Sequence, residues 1–79
     1  MKSNSSGRLQ ELMEYYEISR SDIIEKTGIP KSALSMYLSG QRVPRQDRLS
    51  DIAEAYNVNE AWLMGYDVPM KKIFYKNRK

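Results

Sequence analysis

The sequence predicts an all-α domain built from five short helices. Three observations predict this fold class: apolar residues recur at helical spacing in five stretches, capping residues or glycines bound those stretches, and no stretch shows the alternation of a half-exposed strand. With 79 residues, of which 41% are hydrophobic and 29% charged, the chain has room for one compact domain with a small core.

The first predicted helix follows a polar arm. Residues 1–7 are small and polar, so we expect a flexible N-terminal arm there. From Arg8, apolar residues three, four and seven positions apart define one helix face, namely Leu9, Leu12, Met13 and Tyr16. Gln10, Glu11 and Glu14 would then face solvent.

The second and third helices are predicted to be joined by a tight turn. Ser19 and Asp22 have the spacing of a capping box, in which the serine hydroxyl and the carboxylate each bond the other residue's amide. Gly28 suits the left-handed position that ends a helix, and Pro30 suits the start of the next one. A turn of about three residues between two helices is typical of a helix-turn-helix unit.

The third helix is predicted to run from Lys31 to Ser39 and to end at Gly40. Its apolar residues form an inward face of Leu34, Tyr37 and Leu38. The opposite face is short and polar, and it carries Lys31, Ser32, Ser35, Met36 and Ser39. Side chains of this size and type can enter a major groove about 12 Å wide and reach base edges.

Two more helices and a tail complete the predicted organisation. A fourth helix from about Arg45 or Gln46 to Tyr56 buries an apolar face and ends at Asn57, and Asn59 caps a short fifth helix from Glu60 to Met64. The predicted inward residues of these helices are Leu49, Ile52, Ala53, Tyr56, Trp62 and Leu63. The domain is thus expected over residues 8–65, and residues 66–79 are expected to form a basic tail or linker.

The composition excludes several classes of chemistry. The chain has no cysteine and no histidine, so it lacks thiolate ligands, thiol nucleophiles and the usual general base near neutral pH. We expect neither a cofactor nor a metal. No apolar run approaches the roughly 20 residues of a membrane span, and the N-terminus has no apolar export segment, so we expect a cytoplasmic protein without membrane contact.

The charge is unevenly distributed. Residues 71–79 hold five basic and no acidic residues, which leaves eight basic against ten acidic residues in residues 1–70. Residues 19–45 reverse this balance, with five basic against two acidic residues. Nucleic-acid binding must therefore be argued from the position of the charges rather than from the net charge of +3.

Several segments spread over residues 8–65 are specific enough to compare with known families: RLQEL at 8–12, IS at 18–19, GIPKSALSMYLSG at 28–40, Pro44, IA at 52–53, VN at 58–59 and AWLMG at 61–65. In these segments the chain resembles the lambda-repressor/Cro-type helix-turn-helix family. The ending from Glu60 to Met70 is similar to that of temperate-phage repressors from Gram-positive bacteria. In those proteins such a domain is commonly joined to a C-terminal oligomerisation domain, so the chain can be a fragment of a longer one.

The resemblance implies which residues face DNA. On the second and third predicted helices these are Arg20, Ser21, Lys31, Ser32, Ser35 and Met36. Ser39, Gln41 and Arg42 would meet phosphates, and Arg45 would approach the backbone or the minor groove. Taken alone, Lys31 and Arg42 could equally be solvated surface charges, and Met36 could fill a gap instead of contacting a thymine methyl.

Three residues depart from the family pattern. Glu17 stands where the family usually has glycine or asparagine, Ile24 where it usually has alanine, and Thr27 where it usually has an apolar residue. These positions influence the angle between the helices.

The predicted function is sequence-specific binding of a double-stranded DNA operator by a transcriptional repressor. A homodimer is expected, formed in solution or only on DNA, because one reading helix covers one half-site. Met64, Tyr66 and Val68 are the expected dimer surface. The alternative is a protein-interaction module such as an antitoxin or antirepressor, which stays open because residues 1–70 carry a net charge of −2. An enzyme is disfavoured, because carboxylates such as Glu11 and Glu14 lie on an outward helix face.

Overall fold

The computed structural model describes residues 5–71, which form five helices around one core. The helices are α1 (Ser5–Tyr16), α2 (Arg20–Thr27), α3 (Lys31–Ser39), α4 (Gln46–Tyr56) and α5 (Glu60–Leu63). The described residues contain no strand, and one isolated antiparallel bridge joins Val58 to Lys71. The predicted all-α fold is confirmed. Residues 1–4 of the predicted arm and residues 72–79 of the predicted tail lie outside the described part.

Helix α1 includes the three residues before its predicted start at Arg8. Ser5 is buried, and the Ser6 hydroxyl donates a 2.9 Å hydrogen bond to the carbonyl of Leu38 on α3. Gln10 donates to the same carbonyl at 2.8 Å. Packing against α3 therefore extends α1 through residues 5–7, which the sequence places in the arm.

The predicted boundaries of α2 are confirmed, but half of the predicted capping box is absent. The Ser19 hydroxyl accepts from the Asp22 amide at 3.2 Å, and Gly28 ends the helix with a φ of 79°. The Asp22 carboxylate instead accepts the hydroxyl proton of Tyr56 on α4. Asp22 thus joins α2 to α4 through its side chain.

Tyr16, predicted on the inward face of α1, is 36% exposed, whereas all five helices contribute other side chains to the core. Its completely buried side chains are Leu9, Leu12, Ile23, Ile29, Leu34, Ile52, Val58 and Leu63. Helix α1 packs against α3 and α5, and α2 packs against α3 and α4. The α2–α3 pair is consequently held by α4, which packs on α2, and by α1, which packs on α3.

Residues 66–71 return to the body instead of continuing as an extended tail. The Asn59 amide donates to the Met70 carbonyl at 2.7 Å, and the side chains of Val68 and Met70 pack partly against the core. Met64 is also partly covered by the core, whereas Tyr66 is 59% exposed. Two of the three residues expected at a dimer surface are therefore used, at least in part, inside the domain.

Candidate nucleic-acid interface

The turn between α2 and α3 is fixed by hydrogen bonds and one buried side chain. The Gly28 amide donates to the Ile24 carbonyl at 2.8 Å, and Ile29 is completely buried. Thr27, a departure from the family pattern, donates to the Ile23 carbonyl at 2.6 Å and accepts from the Ile29 amide at 3.2 Å. The threonine thus stabilises the turn through its hydroxyl.

Helix α3 has one face in the core and one face toward solvent. Leu34, Tyr37 and Leu38 are buried as predicted. On the opposite side Lys31, Ser32, Met36 and Ser39 are exposed, whereas Ser35 is only half-exposed. The exposed face begins at the first turn of the helix, where side chains can approach base edges most closely.

Arg20 and Ser21 lie on the first turn of α2, and both are exposed. The Arg20 guanidinium donates to the Ser35 hydroxyl of α3 at 3.3 Å. This hydrogen bond brings a predicted DNA-facing residue of α2 directly beside the outward face of α3.

The loop after α3 presents its side chains next to the same face. Gly40 has a φ of 85°, and the amides of Gln41 and Arg42 both donate to the Met36 carbonyl, at 3.0 and 3.3 Å. The side chains of Gln41 and Arg42 remain exposed. A compact loop thus holds Arg42 where it continues the surface of α3.

Arg45 precedes α4 and pairs with a carboxylate. Its guanidinium donates to Asp47 at 3.1 Å, and this hydrogen bond lowers the pKa of the Asp47 carboxyl. Both side chains are mostly exposed, so water screens the attraction between them and the ion pair is weak. Arg45 is therefore available to an anionic ligand, although its charge is partly offset by Asp47.

Helix α1 contributes residues that the sequence does not assign to the interface. Gln10, Met13 and Glu14 line an open groove of about 320 Å³ together with Arg20, Ser35, Leu38 and Ser39. The sequence places Gln10 and Glu14 on the outward face of α1, but only the packing of α1 on α3 brings them beside the predicted site. No local pattern could have indicated this proximity.

Within residues 5–71 there is no group of three or more acidic side chains placed to hold a metal ion. The same range includes no helix that is long and apolar enough to cross a membrane. Four cationic side chains, Arg20, Lys31, Arg42 and Arg45, are exposed on α2, on α3 and in the loop between α3 and α4.

Comparisons with known proteins show what the chain is similar to. Residues 9–63 match the model of a family described as helix-turn-helix. The chain is also similar to YobD, an uncharacterized HTH-type transcriptional regulator of Bacillus subtilis (strain 168), with 32% identity over 73 residues. That match covers 91% of this chain and 65% of the relative, so the chain spans just under two thirds of the relative's length.

Proposed function

Because the chain belongs to the helix-turn-helix family, we propose that it binds a specific sequence of double-stranded DNA and represses transcription by occupying an operator. One observation carries this proposal. The solvent face of α3 presents a cation and hydroxyl groups from its first turn onward, while the opposite face is anchored in the core. A helix presented in this way can enter a major groove without loss of packing.

Base reading is assigned to the first turn of α3 and to Met36 in its second turn. The ammonium group of Lys31 can donate to the O6 and N7 acceptors of guanine, and Ser32 can donate to or accept from either base type. Met36, which is 38% exposed, offers an apolar contact for a thymine methyl group. Together these side chains discriminate among bases, whereas a charge alone would not.

Phosphate contacts are assigned to the ends of the surface. Ser39, Gln41 and Arg42 lie at and beyond the C-terminal end of α3, and Arg45 lies at the start of α4. Backbone contacts from these residues would fix the position of α3 in the groove. Their contribution is electrostatic and largely independent of sequence.

Repression follows from occupancy, since a protein bound over a promoter excludes other proteins from the same DNA. We propose a homodimer on a symmetric operator, with the two α3 helices one DNA turn apart, about 34 Å. The exposed Tyr66 is retained as a candidate contact between the two copies.

Selection of bound duplexes from a random pool tests the proposal. We expect one enriched, symmetric sequence, two copies bound at saturation, and an affinity that falls linearly with the logarithm of salt concentration. Transcription from a promoter that overlaps this sequence should decrease when the protein is present. A chain that binds no duplex at low salt, but binds another protein, would instead be an interaction module.

A further inference from the structure

The hydrogen bond between Arg20 and Ser35 joins two residues 15 positions apart on the predicted DNA-facing surface. It runs from Nη1 of Arg20, on the first turn of α2, to Oγ of Ser35, in the middle of α3, over 3.3 Å. Both residues belong to the set that the family resemblance assigns to direct DNA contact. Their mutual contact allows a different division of roles.

Ser35 is less accessible than its neighbours on the outward face of α3. Lys31, Ser32 and Ser39 are exposed, whereas Ser35 is half-buried in the groove lined by Met13 of α1 and by Leu38. Ser35 thus lines this groove together with Arg20. The longer Arg20 side chain lies beside it and is exposed.

Arg20 keeps most of its hydrogen-bonding capacity. A guanidinium carries five N–H donors, and the bond to Ser35 occupies one of them. The ion pairs among residues 5–71 are Lys26 with Asp22 and Arg45 with Asp47, so none of them engages Arg20. Asp22, the acid nearest along the chain, is already bound to Tyr56 and Lys26.

We propose that Ser35 is a positioning residue, which orients the Arg20 guanidinium, and that Arg20 makes the DNA contact at this part of the surface. The acceptor on DNA is either a guanine edge or a phosphate oxygen, since a guanidinium binds both in the same forked geometry. This inference rests on the proposed DNA binding. It changes the role of Ser35 from reading a base to holding an arginine.

A double-mutant cycle tests the division of roles. The affinities of the unsubstituted chain, Ser35→Ala, Arg20→Ala and the double variant are measured on the selected duplex and on a scrambled one. We expect Ser35→Ala to weaken binding to the selected duplex by about 3- to 10-fold, and to have an effect of less than about 2-fold when Arg20 is already substituted. Ser35→Thr, which keeps the hydroxyl, should retain most of the affinity.

Ser32→Ala is the matched control, because Ser32 lies on the exposed face one turn earlier. Its effect should be the same with and without Arg20, as expected for independent sites. If Ser35→Ala also weakens binding equally in both backgrounds, Ser35 contacts DNA itself and the inference is wrong. Absence of DNA binding by the unsubstituted chain would instead overturn the proposed function.

The scrambled duplex distinguishes the two acceptors. A guanine contact predicts that Arg20→Ala loses affinity mainly on the selected sequence, whereas a phosphate contact predicts a similar loss on both duplexes. The dependence of Ser35 on Arg20 is expected in either case. Thermal unfolding of each variant checks that the helices remain folded.

Discussion

The Tyr56 hydroxyl donates a hydrogen bond to the Asp22 carboxylate and thereby joins α4 to the first turn of α2, 34 positions away in the chain. Lys26 lies beside the same carboxylate at 3.8 Å and over the Tyr56 ring at 5.2 Å. The three side chains hold α2, and with it Arg20 and Ser21, against the rest of the domain.

Removal of the Tyr56 hydroxyl should lower stability. We expect Tyr56→Phe to reduce the free energy of unfolding by about 1 kcal/mol, because it deletes a partly exposed hydrogen bond to a charged acceptor. Tyr66→Phe is the control, since Tyr66 is 59% exposed, and should change stability by less than about 0.5 kcal/mol. Urea unfolding of the unsubstituted chain and of both variants measures these differences. A Tyr56→Phe variant as stable as the unsubstituted chain would show that the hydrogen bond contributes nothing to stability.

The same contact predicts a loss of stability in alkaline solution. Burial, together with the hydrogen bond to Asp22, raises the pKa of Tyr56 above its ordinary value. The folded chain therefore holds this proton more tightly than the unfolded chain, in which tyrosine titrates near pH 10, about its usual value. The stability that Tyr56 contributes is complete below that pH and is lost as the pH rises toward the folded-state pKa.

Comparison with Tyr56→Phe isolates this effect from the titration of other groups. The stability advantage of the unsubstituted chain should stay constant up to about pH 9 and shrink as the pH rises above about 10. Unfolding curves at several pH values give this difference directly. A difference that also stayed constant at the higher pH values would contradict the assigned cause.

Glu17 should be replaceable with a gain in stability. It is exposed and has a φ of 54°, a left-handed conformation that glycine adopts readily and that most residues with a side chain disfavour. We expect Glu17→Gly to raise the free energy of unfolding by about 0.5–1 kcal/mol. Glu14→Gly, inside α1, should lower it by about 1 kcal/mol. Thermal melts of the pair test the sign, and a destabilised Glu17→Gly variant would refute it.

Two valines test whether residues 66–71 belong to the core. Val68 packs partly against the core, whereas Val43 in the loop before α4 is 76% exposed. Val68→Ala should therefore cost about 1 kcal/mol, and Val43→Ala less than about 0.5 kcal/mol. Equal effects in chemical denaturation would mean that the segment is a tail, as the sequence alone indicates.

Local signals predicted most of the fold. Ser19 and Gly28 mark the ends of α2, Asn57 takes the left-handed conformation that ends α4, and Asn59 caps α5 through the Ala61 amide. Each of these depends on one residue and its immediate neighbours, so the pattern is visible in the sequence.

Contacts between distant residues explain what the sequence did not predict. Helix α1 extends to Ser5 because Ser6 bonds to α3, and residues 66–71 fold back because Met70 accepts from Asn59. The Arg20 and Ser35 contact likewise depends on the angle between two helices. The spacing of apolar residues predicted which face of α3 is exposed. That residues of α1 line the groove beside this face could be seen only in the tertiary structure.

The most direct test of the proposed DNA reading compares Lys31→Ala with Arg42→Ala on selected and scrambled duplexes across a salt series. Lys31 opens α3 and is assigned to base edges, so its removal should cost about 1–3 kcal/mol on the selected sequence and relax the preference at one or two positions. Arg42, in the loop after α3, is assigned to phosphate, so its removal should weaken binding to both duplexes and lower the salt slope by about one. If Lys31→Ala left sequence preference unchanged while Arg42→Ala altered it, the orientation of α3 proposed for the groove would be wrong.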